Sequence, residues 1–441
     1  MIEKNVPSGI KYAVRSQHDF FATHLTKSIQ FRKSQLTKLS QILKNNEQKL
    51  YDAISLDFNK STFETHLTEL LPIYRELKLA ISNVKRWSSE KHVTTGLENF
   101  PAKSFIKPEP LGVTLVISAW NYPYNISLIP AISSLAAGNT VILKPSEIAS
   151  HASSVLSEII NENFDPNYFH VIEGGSTKVG KIVYEAAAKH LTPVTLELGG
   201  KSPSIVTEHA DIAISAKRLV WAKFLNAGQT CIAPDYVLIH SSVKSQFLSS
   251  LVNEIEMAKY SFDNNNYVQI VNETHFNRLL RLLQETTIFY GGLSNKSTRF
   301  IQPTILTHVE LSHPVMQEEI FGPILPVLEY SDLNQAIQYV NSQHKPLSCY
   351  VYSTNKSQVN KILEEISFGG GAVNDSLMHI ANHNLPFGGV GHSGLGAYHG
   401  EHGFKTFSHY KSILWKKNGF EPTLKYSPYS ETKLKWIKRF V

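Results

Sequence analysis

Between residues 15 and 90 the apolar positions recur at helical intervals. Leu36, Leu39, Ile42 and Leu43 form one stripe with Lys and Gln between them, which predicts amphipathic helices through this stretch. From about residue 111 the period changes. Leu111-Gly112-Val113-Thr114-Leu115-Val116-Ile117-Ser118 is a short apolar, β-branched run, expected as a strand buried on both faces. A helix over 126–137 follows, then a strand over 140–143 and a helix after Pro145-Ser146-Glu147. Another strand over 168–172 is closed by Gly174-Gly175. Strands alternating with helices at this spacing predict an α/β fold with a Rossmann-like, doubly wound parallel sheet, whose ligands bind beyond the carboxyl ends of the strands. The second half repeats the alternation, with helices over 212–226 and 242–259, a buried strand over 347–352, a helix over 356–366 and a short strand over 372–374.

A chain of 441 residues is too long for one small core, so two α/β units are expected, with a cleft between them for ligands. Hydrophobic content of 42% and a mean hydropathy of -0.16 suit a soluble protein. Two cysteines supply neither a disulfide framework nor a zinc cluster, and the 19 histidines form no metal-ligand spacing with them, so no metal is expected. No apolar run has the length of a secretory signal or a membrane span, so the expected location is cytoplasmic. Charge is uneven: residues 411–441 hold eight Lys and Arg against two Glu, the whole of the +6 surplus. The neutral body shows no nucleic-acid surface. In the tail, Leu434, Trp436, Ile437 and Phe440 lie between cations, a pattern open to weak peripheral contact with an anionic membrane or to a docked or solvated tail.

The chemistry concentrates around two words. Cys231 sits in Asn226-Ala227-Gly228-Gln229-Thr230-Cys231, a small, polar, glycine-containing turn that presents a thiol, whereas Cys349 lies in an apolar strand and reads as core. Glu197 lies 34 residues earlier in Thr195-Leu196-Glu197-Leu198-Gly199-Gly200-Lys201. A thiol and a carboxylate together suggest covalent chemistry on a carbonyl with a base to complete it. Two pattern matches fail in context. Gly389-Val390-Gly391-His392-Ser393-Gly394 follows Pro386-Phe387-Gly388 instead of a strand and is expected as a loop. Gly175-Ser176-Thr177-Lys178-Val179-Gly180-Lys181 has Ile182 where a phosphate loop needs Ser or Thr.

These words, with Trp120-Asn121-Tyr122-Pro123, Lys144-Pro145-Ser146-Glu147, Glu318-Glu319-Ile320-Phe321-Gly322-Pro323 and Leu385-Pro386-Phe387-Gly388-Gly389, resemble the aldehyde dehydrogenase superfamily. They occur in the family's order from about residue 30 to 410, and the Tyr398-His399-Gly400 ending resembles its class 3-like branch. The resemblance implies a dinucleotide-binding domain over 1–90 and 111–197, a catalytic domain over 198–402, and bridging or oligomerisation arms over 91–110 and 403–441. It implies Cys231 as nucleophile, the Asn121 amide and the Cys231 N–H as oxyanion donors, and Glu197 as base for the hydrolytic water. NAD or NADP is the implied cofactor. Lys144 and Glu147 would meet its adenosine ribose, Gly175 and Ser176 its pyrophosphate, and Glu319 and Phe321 its nicotinamide end. The implied reaction is oxidation of an aldehyde to a carboxylic acid through a thiohemiacetal and a thioester, in a homodimer. Tyr122, Tyr124, Trp221 and Phe387 suggest an aromatic wall for a hydrophobic aldehyde.

The chain departs from the family between Ile172 and Ser176. Two glycine words run together there, as though one helix and one strand of the βαβ pattern were missing. Loss of an interior strand leaves a free sheet edge and apolar surface. The alternative reading is therefore a cofactor-impaired, weakly active or inactive relative that acts through self-association. A cysteine esterase needing no dinucleotide is a third.

Overall fold

The computed structural model describes residues 8–172 and 180–439. Residues 8–87 are mainly helical, with long helices at Ser8–Ala22, Ile29–Asn45, Glu47–Phe58 and Leu71–Trp87. Their buried stripes include Leu36, Leu39, Ile42 and Leu43, as the period required. Between the last two helices the chain makes a short helix, Thr62–Thr65, and a π-helical turn, His66–Leu70.

Strands β1 (Lys91–Val93) and β2 (Ala102–Pro110) are antiparallel. Then come β3 (Val113–Ile117), β4 (Thr140–Lys144) and β5 (Phe169–Val171), a parallel sheet in the order β3-β4-β5. The helix Asn125–Ala137 packs on β3, β4 and the helix Leu71–Trp87, and ends at Gly138 in the left-handed region. A second helix, Ser150–Asn163, follows Lys144-Pro145-Ser146-Glu147.

One expectation for this region is corrected. Thr114 and Val116 are buried, but Leu115 is 53% exposed and Ile117 36% exposed, so β3 is covered on one face only. The cause is position: β3 pairs with β4 alone among the described residues and stands at the sheet's rim. The helix Gly180–Ala188 likewise has no buried residue, leaving Ile182 and Tyr184 exposed. Next, β6 (Leu196–Glu197) joins neither large sheet.

The second sheet comprises β7 (Pro203–Val206), β8 (Tyr236–His240) and β9 (Thr287–Tyr290), and after the small β10 (Ser294–Asn295) and β11 (Phe300–Ile301) hairpin, β12 (Thr304–Thr307), β13 (Ile324–Tyr330), β14 (Ser348–Tyr352) and β15 (Gly370–Val373). Its order is β15-β14-β7-β8-β13-β12-β9, parallel except for β9. Every residue of β7, β12 and β14 is buried, as expected of interior parallel strands, and Cys349 is core. Two late strands return to earlier parts of the chain. β16 (Gly394–Leu395) pairs with β6, and β17 (Ser408–Lys416) runs along all nine residues of β2. The segments 91–110 and 403–441 thus share one sheet.

Candidate active site

Cys231 lies in the connection between the helix Ile212–Phe224 and β8. The helix stops because Leu225 turns extended, and Asn226, Ala227 and Gly228 all take positive φ, at 52°, 50° and 71°. Non-glycine residues rarely accept that conformation, so this turn is held from outside. A Cβ at Gly228 would lie 2.3 Å from the Gly322 carbonyl oxygen, and only glycine lets these two turns approach. Gln229 closes the turn. Its Nε2 donates to the Asn226 and Gln269 carbonyls, while its Oε1 accepts from the Val271 N–H.

Asn121, 4% exposed, reaches this turn from the loop after β3. Its Nδ2 donates to the Gln229 carbonyl at 3.2 Å, and its own carbonyl accepts from Asn226 Nδ2 at 3.0 Å. The next residue, Tyr122, is buried with its hydroxyl 2.6 Å from Thr230 Oγ1, beside Cys231. Two loops more than 100 positions apart are therefore tied together by side chains on both.

Glu197 approaches on β6. The partner of that strand explains the glycine-rich stretch 389–394, which is a loop and not a phosphate-binding turn. Gly394 lies opposite Glu197 with φ 154°, and a Cβ there would be 2.4 Å from the Leu196 carbonyl. The glycines serve this close pass. Glu197 keeps contact with solvent along its strand, yet the protein gathered around its carboxyl disfavours the charged form and pushes its pKa up to about 9.

Glu319 also converges here. The Gly200 N–H bonds its carboxylate, yet burial, then Asp235, raise its pKa to about 8. The backbone around it is pinned: Arg278 donates to the Glu319 carbonyl at 3.2 Å and the Ile320 carbonyl at 2.6 Å, while the Ile320 N–H donates to Asp235 Oδ1 at 3.0 Å. Lys201 pairs with the same Asp235 and donates to the Val315 and Glu318 carbonyls at 2.8 Å. Phe321 has φ 47°, and its ring meets Trp120 edge-on at 5.3 Å; Trp120 in turn stacks on Phe58.

These surroundings act on Cys231. Burial pushes its thiol well up, and the charges of Glu319 and Glu197 add to the rise. The backbone N–H groups of Cys231 and Ile232 pull the other way, favouring a thiolate. The cysteine is partly exposed and its surroundings on balance favour the protonated thiol, so ionisation is helped by a base or by an incoming charge.

Of the residues expected to act together, Asn121, Cys231, Glu197, Glu319 and Phe321 converge on the Cys231 turn. Lys144 and Glu147 form a separate pair, 3.4 Å apart, at the carboxyl end of β4. Gly175 and Ser176 lie outside the described residues. Tyr124 is corrected: it is fully buried with its hydroxyl on the Leu50 carbonyl, so it is core and not pocket wall. Sequence reasoning missed Arg278, Lys201, Asp235 and Trp120 as supports, because their partners are distant in sequence. Among the described residues no group of His, Cys, Asp and Glu could hold a metal ion.

Comparison with known proteins bears on this geometry. The model of the aldehyde dehydrogenase family matches the chain in two segments, residues 3–175 and 174–413, which meet where the two glycine words run together. The 4,4'-diaponeurosporen-aldehyde dehydrogenase of Staphylococcus aureus is 44% identical over 444 aligned positions, covering 96% of each chain. The dimeric NADP-preferring aldehyde dehydrogenase of Rattus norvegicus is 41% identical, covering 93% of this chain and 95% of its own. A substrate-bound structure of Staphylococcus aureus AldH superposes with a TM-score of 0.95 at 43% identity over 99% of both chains.

Proposed function

This chain belongs to the aldehyde dehydrogenase family, with close relatives in its class 3-like branch, and from that premise we propose that Cys231, Asn121 and Glu197 carry its reaction. The protein is an NAD(P)-dependent oxidoreductase that converts an aldehyde to a carboxylic acid. The observation behind the residue assignment is the convergence of the Asn121 amide, the carboxylates of Glu197 and Glu319, and the Cys231 thiol at one turn.

Cys231 sulfur attacks the aldehyde carbon and its proton leaves to a base. The new oxyanion is met by the Cys231 N–H and by the Asn121 amide, which has two N–H bonds and spends only one on Gln229. A dinucleotide held at its nicotinamide end by Glu319 and Phe321 would supply the hydride acceptor that aldehyde oxidation needs. Glu197, once ionised, removes a proton from the water that hydrolyses the thioester and frees Cys231. Formation of reduced cofactor with an aldehyde, present in the wild type and lost by at least about 10⁴-fold in Cys231→Ala, tests the assignment; turnover surviving in the variant would overturn it.

The residues present suit the nicotinamide end of a dinucleotide. Glu319 is half-buried, its carboxylate held by the Gly200 N–H where a ribose would lie, and Phe321 has its ring fixed by Trp120. Lys144 and Glu147 stand at a strand end, where such sheets bind ribose. Gly175 and Ser176 would meet the pyrophosphate. The far side differs: the segment expected between Ile172 and Ser176 is absent, and the seat lacks one wall. The exposed side chains Leu115 and Ile117 and the unburied helix Gly180–Ala188 support this reading. Titration with NAD⁺ and NADP⁺, followed by tryptophan fluorescence, should give weaker binding than relatives that have the segment. Equal affinity would remove the idea.

A hydrophobic aldehyde is the preferred substrate class, supported by the rings of Tyr122 and Phe387, which keep 9% and 7% exposure where Tyr124 keeps none, and by the aldehyde in the Staphylococcus aureus relative's name. A homodimer built through the β1-β2-β17 sheet is supported by the rat relative being named dimeric. Among the described residues no helix is long and apolar enough to cross a membrane. The exposed Leu434, Trp436 and Ile437 among lysines support weak peripheral contact of a cytoplasmic protein with anionic lipid.

A further inference from the structure

Glu76 stands fully buried on the helix Leu71–Trp87, and the chemistry above gives it no part. Both of its carboxylate oxygens reach a late segment of the chain. Oε2 meets His383 Nδ1 at 2.6 Å, and Oε1 accepts from the Gly400 N–H at 3.0 Å. An ionised carboxylate has only acceptors to offer, so Nδ1 carries a proton.

These two anchors bracket a loop. Inside it Phe387 and Tyr398 exchange both backbone hydrogen bonds, at 2.9 and 2.8 Å, so its two limbs lie side by side. Its tip passes the strand of Glu197, where the Ser393 carbonyl accepts from the Leu198 N–H at 3.1 Å. Rings join the limbs as well: His399, 2% exposed, stacks on both His383 and Phe387, with centroids 5.6 and 5.3 Å away. The closure is strained. His399 takes φ 87°, which residues with a side chain rarely adopt, and a Cβ at Gly400 would lie 2.3 Å from the His383 carbonyl oxygen.

The two ends are not equally held. Gly400 opens the helix Gly400–Thr406, which is seated by Phe404 against Trp87 and by Gly403 on Ser133, where a Cβ would be 2.3 Å from the hydroxyl oxygen. His383 lies in a turn, and its seat is the Glu76 bond and the ring stack. Glu197 has support apart from this loop, since its strand runs on to Lys201, which pairs with Asp235.

We infer that Glu76 and His383 form a clamp that positions Phe387 and so sets how well the site holds a long, apolar aldehyde. The inference rests on the proposed place of Phe387 in the aldehyde wall. Glu76 and His383 touch no reacting atom and are positioning residues. With the carboxylate gone, the His383 and Gly400 N–H groups lose their acceptor, and the His383 limb is released. Gly400 stays with its helix, so Phe387 loses its place while Cys231 and Glu197 keep theirs.

Glu76→Leu roughly keeps the volume and removes both acceptors. Hydrogen exchange read by mass spectrometry should show the amides of 383–388 exchanging at least about tenfold faster, with those of β8 unchanged. With NAD⁺ or NADP⁺ saturating, KM for octanal should rise by about tenfold, while KM for propanal and both kcat values stay within about threefold. Glu76→Gln should behave as wild type, because its oxygen accepts from Gly400 and its amide donates to the other His383 tautomer. Unchanged exchange in Glu76→Leu, an equal rise in KM for both aldehydes, or a Glu76→Gln variant as impaired as Glu76→Leu would overturn the clamp. Should Glu76→Leu not fold by circular dichroism, His383→Leu decides by the same two measurements. Phe387→Ala separates the parent reading. If it leaves the octanal-to-propanal KM ratio unchanged, the wall assignment fails; a ratio moved by Phe387→Ala and not by Glu76→Leu sinks the clamp alone.

Discussion

In β7, Ile205 and Val206 are fully buried between β14 and β8, whereas in β3 the equally apolar Leu115 and Ile117 stand at the rim of a three-stranded sheet, half or a third exposed. The two strands read alike in sequence. What differs is the number of neighbours, seven strands in one sheet and three in the other among the described residues. Loops around the seven-stranded sheet brace the Cys231 turn, through the Val271 N–H on Gln229 and the close approach of Gly228 to Gly322. The three-stranded sheet holds Lys144 and Glu147 at a strand end, and among the described residues no further strand stands beside β3. One side is closely braced, and the other, the proposed seat of the cofactor, ends among the described residues at an open rim.

If that contrast is right, injuries to the nucleophile side should cost the most. Asn121→Ala should lower kcat by about 10²- to 10³-fold with little change in KM, since its amide matters most once the oxyanion forms. Steady-state kinetics with a saturating aldehyde would check it. A larger effect on KM than on kcat would make Asn121 a binding residue and weaken the contrast.

Next in size is the pH dependence. Burial raises the Glu197 pKa to about 9, so below that pH the carboxyl is mostly protonated and cannot act as a base. Turnover limited by thioester hydrolysis should therefore rise with pH, by about tenfold per unit, and level off near the same value. In Glu197→Gln that limb should vanish, and acyl-enzyme should accumulate, visible by mass spectrometry. A flat wild-type profile between pH 6 and about 9 would show that Glu197 does not limit the reaction, whatever its surroundings.

Much of this was legible along the chain, for a physical reason. Helical stripes and β-branched runs are local patterns, so the helices at 125–137 and 356–365 and the strands at 140–144 and 348–352 lie where periodicity put them, to within a residue or two. That Cys231, Glu197 and Asn121 belong together was suggested by the distinctive short word around each, and the structure brings the three to one turn. The supports were not legible. Arg278 matters through carbonyls about forty residues away. Nothing in its neighbours in sequence announces those contacts. Burial of β3 on both faces was misjudged for the complementary reason: an apolar run states what a strand can bury, not whether a neighbour is present to bury it.

The smallest expected effect is therefore the most direct measure of the contrast. Ile205→Ala removes a buried side chain from between two paired strands and should cost about 2–5 kcal/mol in urea unfolding. Leu115→Ser removes a side chain of the same size class that is 53% exposed, and should change stability by no more than about 0.5 kcal/mol. The pair isolates burial from composition, because both residues occupy parallel strands of apolar character. Were Leu115→Ser to cost as much as Ile205→Ala, the outer face of β3 would have to be covered in solution. The proposed gap in the cofactor's seat would then be filled by another part of the chain or by a second copy, and the dinucleotide affinity should match that of relatives that have the segment.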